Sequence, residues 1–255
     1  MPRRAGPAAY EVSGGAALRA SDTEGDGPQE HPLLGTPLRD TIVTALLAAA
    51  TATLFILVAN DVTRDPIQRI DDAFAARMVS IRAGWLTVVA KIFNLLGLVV
   101  VMLPIRLAIA GFLAFRRRWW HFAAFVSAMV LSEITIGTLK ALYDRPRPPG
   151  TLVHTSGGSF PSGHAVAAAV TVVAAVIALF PEGRGRYAWG TAAAAFALVM
   201  GLSRAYLLAH WLSDAVAGVL LGTGVALGTA LVVHAIREWS NGRQAWPSTS
   251  ESAQG

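Results

Sequence analysis

Apolar residues in this chain come in long blocks, and charged residues are confined to the gaps between them. Thr41–Ala59 carries no charge and is bracketed by Asp40 and Asn60. As a helix rising about 1.5 Å per residue it covers roughly 30 Å, the hydrocarbon thickness of a bilayer. Further blocks follow at 97–115, 121–142, 162–180, 187–208 and 212–236. The pattern predicts an all-α fold, a bundle of six transmembrane helices. The second block is interrupted by Pro104 and Arg106; the third carries Glu133 and ends in Lys140. Between the first two blocks the pattern changes. Over 60–96, Asp61, Arg64, Asp65, Arg69, Asp71, Asp72, Arg77 and Arg82 alternate with Ile67, Ile70, Phe74, Met78 and Ile81. Apolar steps of three and four predict one or two amphipathic helices lying in the interface, with Trp85 at headgroup level. The acidic residues at 61, 65, 71 and 72 then belong to the solvated face of that segment, not to a calcium or magnesium cage.

The ends have another character. Residues 1–38 are rich in Gly, Pro, Ala, Ser and charge without apolar periodicity, which predicts a disordered tail. They lack the apolar run and small-residue cleavage site of a secretory leader. The membrane domain is expected over 39–238, with a short polar tail over 239–255. Six spans place both termini on one side, together with Arg116–Arg118, Arg184 and Arg186. The positive-inside rule makes that side cytoplasmic and the protein a multi-pass plasma-membrane protein. The loops at 143–161 and 204–211 then share the outer face.

Composition supports the membrane reading. Hydrophobic residues make up 54% and charged residues 15%, against about 25% charged in a soluble domain, and mean hydropathy is +0.50. The net charge of +5 resides largely in short loops and tails, so it reads as membrane orientation and not as a nucleic-acid surface. The absence of cysteine excludes disulfides and thiolate metal sites. Nothing in the pattern specifies an oligomeric state.

Three clusters place charge at the edges of apolar blocks. Lys140 and Arg147 flank an Arg-Pro-Arg-Pro-Pro turn that cannot continue a helix; singly, either could equally reach to lipid headgroups. Pro161-Ser162-Gly163-His164 opens a helix, where a serine cap, a glycine and free amides suit an anion. An ordinary cap on a packing helix is the plainer reading of that tetrapeptide alone. His210 and Asp214 stand four apart, so on a helix the carboxylate could hold one ring nitrogen and leave the other free. Arg204 lies six residues earlier. His154, in the outer loop, is expected to be solvated.

The spacing Lys140-x6-Arg147-Pro148, Pro161-Ser162-Gly163-His164 and Ser203-Arg204-x5-His210-x3-Asp214 resembles the three-part signature of the type 2 phosphatidic acid phosphatase superfamily, which includes bacterial lipid phosphatases and vanadium haloperoxidases. The match covers 140–214 directly and, with the six-span layout, about 41–236. The resemblance implies a phosphatase that needs no metal or other cofactor. In it His210 attacks phosphorus, Asp214 orients His210, and His164 protonates the leaving oxygen and then activates water. Lys140, Arg147, Ser162, Gly163 and Arg204 hold the phosphoryl oxygens. The implied partners are the bilayer and a lipid substrate: a polyprenyl diphosphate such as undecaprenyl diphosphate, phosphatidylglycerophosphate or phosphatidic acid. A phosphotransferase with an acceptor other than water is the nearest rival. A non-catalytic transporter or binder of anionic lipid is another, and six spans argue against a soluble haloperoxidase. Outside the signature, Arg106 and Glu133 lie at similar depth and are expected to pair, since an unpaired charge there is costly; the alternative is that Glu133, seven residues before Lys140 on the same helix face, supports that lysine instead.

Overall fold

The computed structural model describes residues 31–34 and 37–244. Within them the chain is all-helical: α1 (Pro37–Ala59), α2 (Asp61–Ser80), α3 (Gly84–Leu96), α4 (Val99–Phe115), α5 (Trp119–Leu142), α6 (Gly163–Leu179), α7 (Arg184–Tyr206) and α8 (Leu212–Gln244). Three helical segments are long and apolar enough to cross a membrane: Leu38–Ala59, Trp119–Leu142 and Leu212–Asn241. α3 and α4 meet at 54° and pass that test only as a pair. The expected fourth span, α6, is apolar but has 17 residues. The expected fifth, α7, is rich in Gly and Ala and carries Arg184, Arg186 and Arg204, which lowers its apolarity. Length and hydropathy therefore identify up to four of the six expected crossings. Large apolar side chains, Leu46, Val99, Leu107, Phe115 and Ile134 among them, remain exposed on the outside of the bundle, a surface suited to lipid.

α6 is the central post. It packs against α4, α5, α7 and α8 and buries Ala165, Val166, Ala168, Ala169, Val170, Thr171, Ala174, Ile177 and Ala178, an almost continuous surface of small residues. α8 lies unusually close to it. A side chain at Gly218 would meet the Ser162 carbonyl at 2.7 Å and Ala165 Cβ at 2.8 Å; one at Gly222 would meet the Val166 carbonyl at 2.5 Å. This is small-residue packing at four-residue spacing, the way helices approach when no hydrophobic force separates lipid from protein. It brings the start of α6 against the start of α8, where Ser162 N–H donates to the Asp214 carbonyl at 3.0 Å.

The 60–96 segment departs from expectation. In α2, Arg64, Asp65, Arg69, Asp72 and Arg77 are exposed, but Asp71 is 1% exposed and sits among the half-buried Ile67, Phe74 and Met78. Asp71 is thus not on a solvated face. α3 is predominantly apolar and packs through Ala90 on Tyr206, Leu207 and Ala209, with Trp85 exposed.

At the end remote from the second and third clusters, Arg39 donates to the Tyr187 hydroxyl at 2.6 Å. Arg186 donates to the Phe180 and Ile177 carbonyls, closing the C-terminus of α6 with a cation. Within the stretch expected to be a tail, Leu33 and Leu34 are buried against Ala124, Ile177, Ala230 and Val233; residues 1–30, 35 and 36 lie outside the described residues. The C-terminal helix continues to Gln244, and the rest of the 239–255 tail is not described.

Candidate active site

α7 ends in a turn that presents His210. Leu208 N–H bonds to the Ala205 carbonyl and Ala209 N–H to the Arg204 carbonyl, the paired closure of a Schellman motif. Leu208 occupies its left-handed position at φ 52, normally a glycine site; burial of its side chain offsets the strain. His210 therefore lies outside any helix. Its distance from Asp214 is not set by helical i,i+4 geometry.

That changes what holds the ring. His210 Nδ1 is 2.6 Å from the Ser159 carbonyl and 3.7 Å from Asp214 Oδ2. A carbonyl only accepts, so Nδ1 carries the proton. Nε2 keeps its lone pair, facing an Arg147 N–H at 3.3 Å. The expected contact with Asp214 is electrostatic, and Ser159 supplies the hydrogen bond. Burial pushes the imidazole pKa down from 6.5 to about 4 against the pull of Asp214, so His210 is neutral near pH 7.

Asp214 has other partners. Oδ2 accepts from Trp211 N–H at 2.8 Å, the reach-back of a third-position carboxylate to the helix cap. Oδ1 accepts from Arg145 at 2.7 Å. Arg145 also bonds Ser213 Oγ, Gln68 and Asp71, while Asp71 takes the Ser213 N–H and hydroxyl. A buried Asp71–Arg145–Asp214 chain thus ties α2 to the start of α8. Neither Arg145 nor Asp71 was among the expected site residues. The signal available for Asp71 was its place in the stripe 67, 71, 74, 78; for Arg145 it was only proximity to Arg147.

Arg147 is deployed differently from the expectation of a freely offered phosphate ligand. Its Nε donates to the Gly157 carbonyl, Nη2 to those of Ser156 and Gly158, and Nη1 to that of Ala209. It staples the outer loop to the His210 turn, with one N–H left towards His210 Nε2. Burial lowers its pKa, partly countered by Asp214. Lys140, at the end of α5, is half-buried with Nζ 4.0 Å from where a Cβ on Gly163 would stand. Ser162 caps α6, yet its hydroxyl makes no cap bond. Arg204, 2% exposed, donates to Asn94 Oδ1 of α3, a residue no motif indicated. His154 is exposed.

Ser162 Oγ, His164 Nε2 and Arg204 Nε are buried with no protein hydrogen-bond partner. Unsatisfied buried polar atoms are rare and costly, and these three all belong to the second and third clusters. Fixed cations, a neutral imidazole with a free lone pair and unpartnered polar atoms make a receptor for a small oxyanion beside a nucleophile. Among the described residues no group of three or more His, Asp or Glu could hold a metal.

Known proteins point the same way. The PAP2 superfamily model matches residues 121–238. Phosphatidylglycerophosphatase B of Bacillus subtilis (strain 168) is 30% identical over 175 residues, 66% of this chain and 85% of that one. The crystal structure of a transmembrane PAP2-type phosphatidylglycerolphosphate phosphatase from Bacillus subtilis superposes with a TM-score of 0.60 at 26% identity, over 80% of this chain and 96% of that one. Aquifex aeolicus LpxE shares the fold, with a TM-score of 0.51 at 22% identity over 62% and 92% of the two chains. The chain belongs to the PAP2 superfamily. It is a membrane lipid phosphatase, a hydrolase of phosphoric esters.

Proposed function

We propose that the protein hydrolyses a lipid phosphomonoester or diphosphate through a phosphohistidine on His210, at the outer face of the plasma membrane. His210 Nε2 attacks phosphorus as the bond to the leaving oxygen breaks, and His164 gives that oxygen a proton. His164 then takes a proton from water, whose oxygen attacks phosphorus; the phosphorus–nitrogen bond breaks, its electron pair returns to His210 Nε2, and inorganic phosphate leaves. Lys140, Arg147 and Arg204 offset phosphoryl charge, with the Ser162 hydroxyl and Gly163 amide adding donors; phosphoryl transfer needs mainly such positioning and neutralisation. The Arg147 N–H aimed at Nε2 is the donor a phosphoryl group there would take over. The observation that carries the reading is the set of three unpartnered buried atoms around His210.

Alternation of helix ends supports six crossings, by α1, α4 with α3, α5, α6, α7 and α8. The C-termini of α5 and α7 and the N-termini of α6 and α8 meet at the site, whereas Arg39, Tyr187 and Arg186 meet at the other end. The exposed charges and half-buried apolar stripe of α2 suit a helix lying at the interface. Candidate substrates are phosphatidylglycerophosphate, after which the Bacillus subtilis relatives are named, a polyprenyl diphosphate and phosphatidic acid. The test is phosphate release by the purified full chain across these lipids, with EDTA and vanadate arms and His210→Ala. Vanadate inhibition, indifference to EDTA and loss in His210→Ala are expected. Activity surviving His210→Ala, or abolished by EDTA, would overturn the mechanism.

A further inference from the structure

Two groups of the site are held from behind by one face of α3. Thr87, Ala90, Asn94 and Gly97 follow steps of three, four and three, so they form one stripe along α3 and its cap. The first two anchor it. Thr87 Oγ1 lies 2.9 Å from the Tyr206 hydroxyl, and Ala90 packs on Tyr206, Leu207 and Ala209. α3 is therefore fixed to the end of α7 that carries Arg204. The last two touch the reacting groups. Asn94 Oδ1 accepts from Arg204 Nη1, and the Asn94 backbone carbonyl accepts from the His164 ring. Because His164 Nε2 has no partner, Nδ1 makes that bond. At Gly97 an added Cβ would collide with His164 Cδ2 and lie 3.0 Å from Cγ.

We propose that Asn94 and Gly97 are positioning residues, Asn94 aiming the Arg204 guanidinium and Gly97 leaving the space in which the His164 ring presents Nε2. This rests on the roles given above to Arg204 and His164. A guanidinium is planar, so fixing Nη1 from Asn94 fixes the plane in which Nε–H points. In the imidazole, Cδ2 is bonded directly to Nε2. A methyl group at position 97 therefore displaces the reacting nitrogen itself, while the Asn94 carbonyl, present in every side-chain variant, still holds Nδ1.

The two residues thus have separable effects. Arg204 offsets phosphoryl charge whatever the leaving group, whereas His164 matters most when the leaving oxygen needs a proton. The experiment measures kcat/KM for an alkyl phosphate and for p-nitrophenyl phosphate, whose leaving group needs little protonation, together with vanadate inhibition. It uses the full chain as wild type, Asn94→Ala, Gly97→Ala, His164→Ala and Gly84→Ala. Gly84 is in α3 with no atom within 4 Å of an added Cβ, so its variant should match wild type. Asn94→Ala is expected to lose about 10- to 100-fold with both esters, as misplacement of a site group by an ångström does, and to weaken vanadate inhibition alike. Gly97→Ala should lose a similar factor with the alkyl ester but less than about threefold with the nitrophenyl ester. Wild-type turnover and vanadate inhibition in Asn94→Ala, or an equal loss on both esters in Gly97→Ala, would overturn the proposal. If His164→Ala itself shows no dependence on leaving group, the acid role of His164 fails instead. Asn94→Ala removes only an amide, so should Gly97→Ala not fold, it decides the Arg204 half and a wild-type result there sinks the proposal.

Discussion

At the scale of single residues, the least expected feature is the buried Asp71–Arg145–Asp214 chain. One guanidinium lies between two carboxylates that are 1% and 0% exposed, and every bond runs between separate segments. Losing one partner of such a group strands charge away from water, at a cost of about 3–5 kcal/mol. Arg145→Met, which strands both carboxylates, should therefore lower the thermal midpoint more than Asp71→Asn, which keeps one acceptor and removes a charge. Thermal unfolding in detergent measures both, and equal midpoints would show that Arg145 is not the hub. His210 makes a second residue-scale prediction. With its pKa near 4, the nucleophile stays neutral well below pH 6.5, so the acid limb of kcat/KM should fall below about pH 5. Because the unfolded ring titrates near 6.5 and the folded ring near 4, the unfolded state takes up the proton first. The contribution to stability is whole above about pH 6.5 and shrinks as pH falls towards 4. The grouping was legible in the spacing of the three clusters: His164, Arg204 and His210 lie close together. The partners that hold them were not. Ser159 acts through its backbone carbonyl, which no side-chain motif encodes, and Asn94 acts across 110 residues of chain.

At the scale of elements, apolar blocks located the helices because a helix in lipid must be apolar along its length. They did not reveal how the helices touch. The Gly218–Gly222 pair of α8 reads in sequence as two more small residues; only against Ser162, Ala165 and Val166 does it become the contact that brings the start of α6 against α8. The break between α3 and α4 falls where the block at 97–115 was expected to begin, with Gly97 at the 54° bend; what the pattern hid is that residues 85–96 are almost as apolar as 99–115. The expected Arg106–Glu133 pair is present at 2.7 Å, with Arg106 also bonding Thr171 and the Ala167 carbonyl. Depth along two helices pointed to it, and the structure decides for Arg106 over Lys140 as the partner of Glu133. Gly222→Val tests the close approach. Overpacking should cost about 1–3 kcal/mol and reduce turnover by separating the two histidines. Gly111→Val in α4, where an added Cβ would meet nothing within 4 Å, should be tolerated. Similar losses of stability and turnover in both variants would mean that the α6–α8 contact does not set the site.

At the scale of the whole molecule, an apolar groove of about 910 Å³ runs between α1, α5 and α8. Its lining extends from Phe55 and Leu139, next in sequence to Lys140, to Thr44, Ser127 and Ile236. From Leu139 back to Ser127, or Ile56 back to Thr44, twelve helical steps cover about 18 Å. One leaflet of a bilayer core is about 15 Å deep. A substrate tail following this groove from the phosphate site would run about as far as the midplane, so a change deep in the groove tests which tails reach it. Gly228, with Thr44 Cγ2 3.9 Å from an added Cβ, lies towards the far end, where only a long tail reaches. Gly228→Leu should therefore lower kcat/KM for a long-chain polyprenyl diphosphate by about tenfold, the contact of nearly two methylene groups at about 0.8 kcal/mol each. Hydrolysis of a ten-carbon alkyl phosphate should be unchanged. Steady-state kinetics on the two substrates in the same detergent read the ratio directly. An equal response would place the tail elsewhere on the bundle.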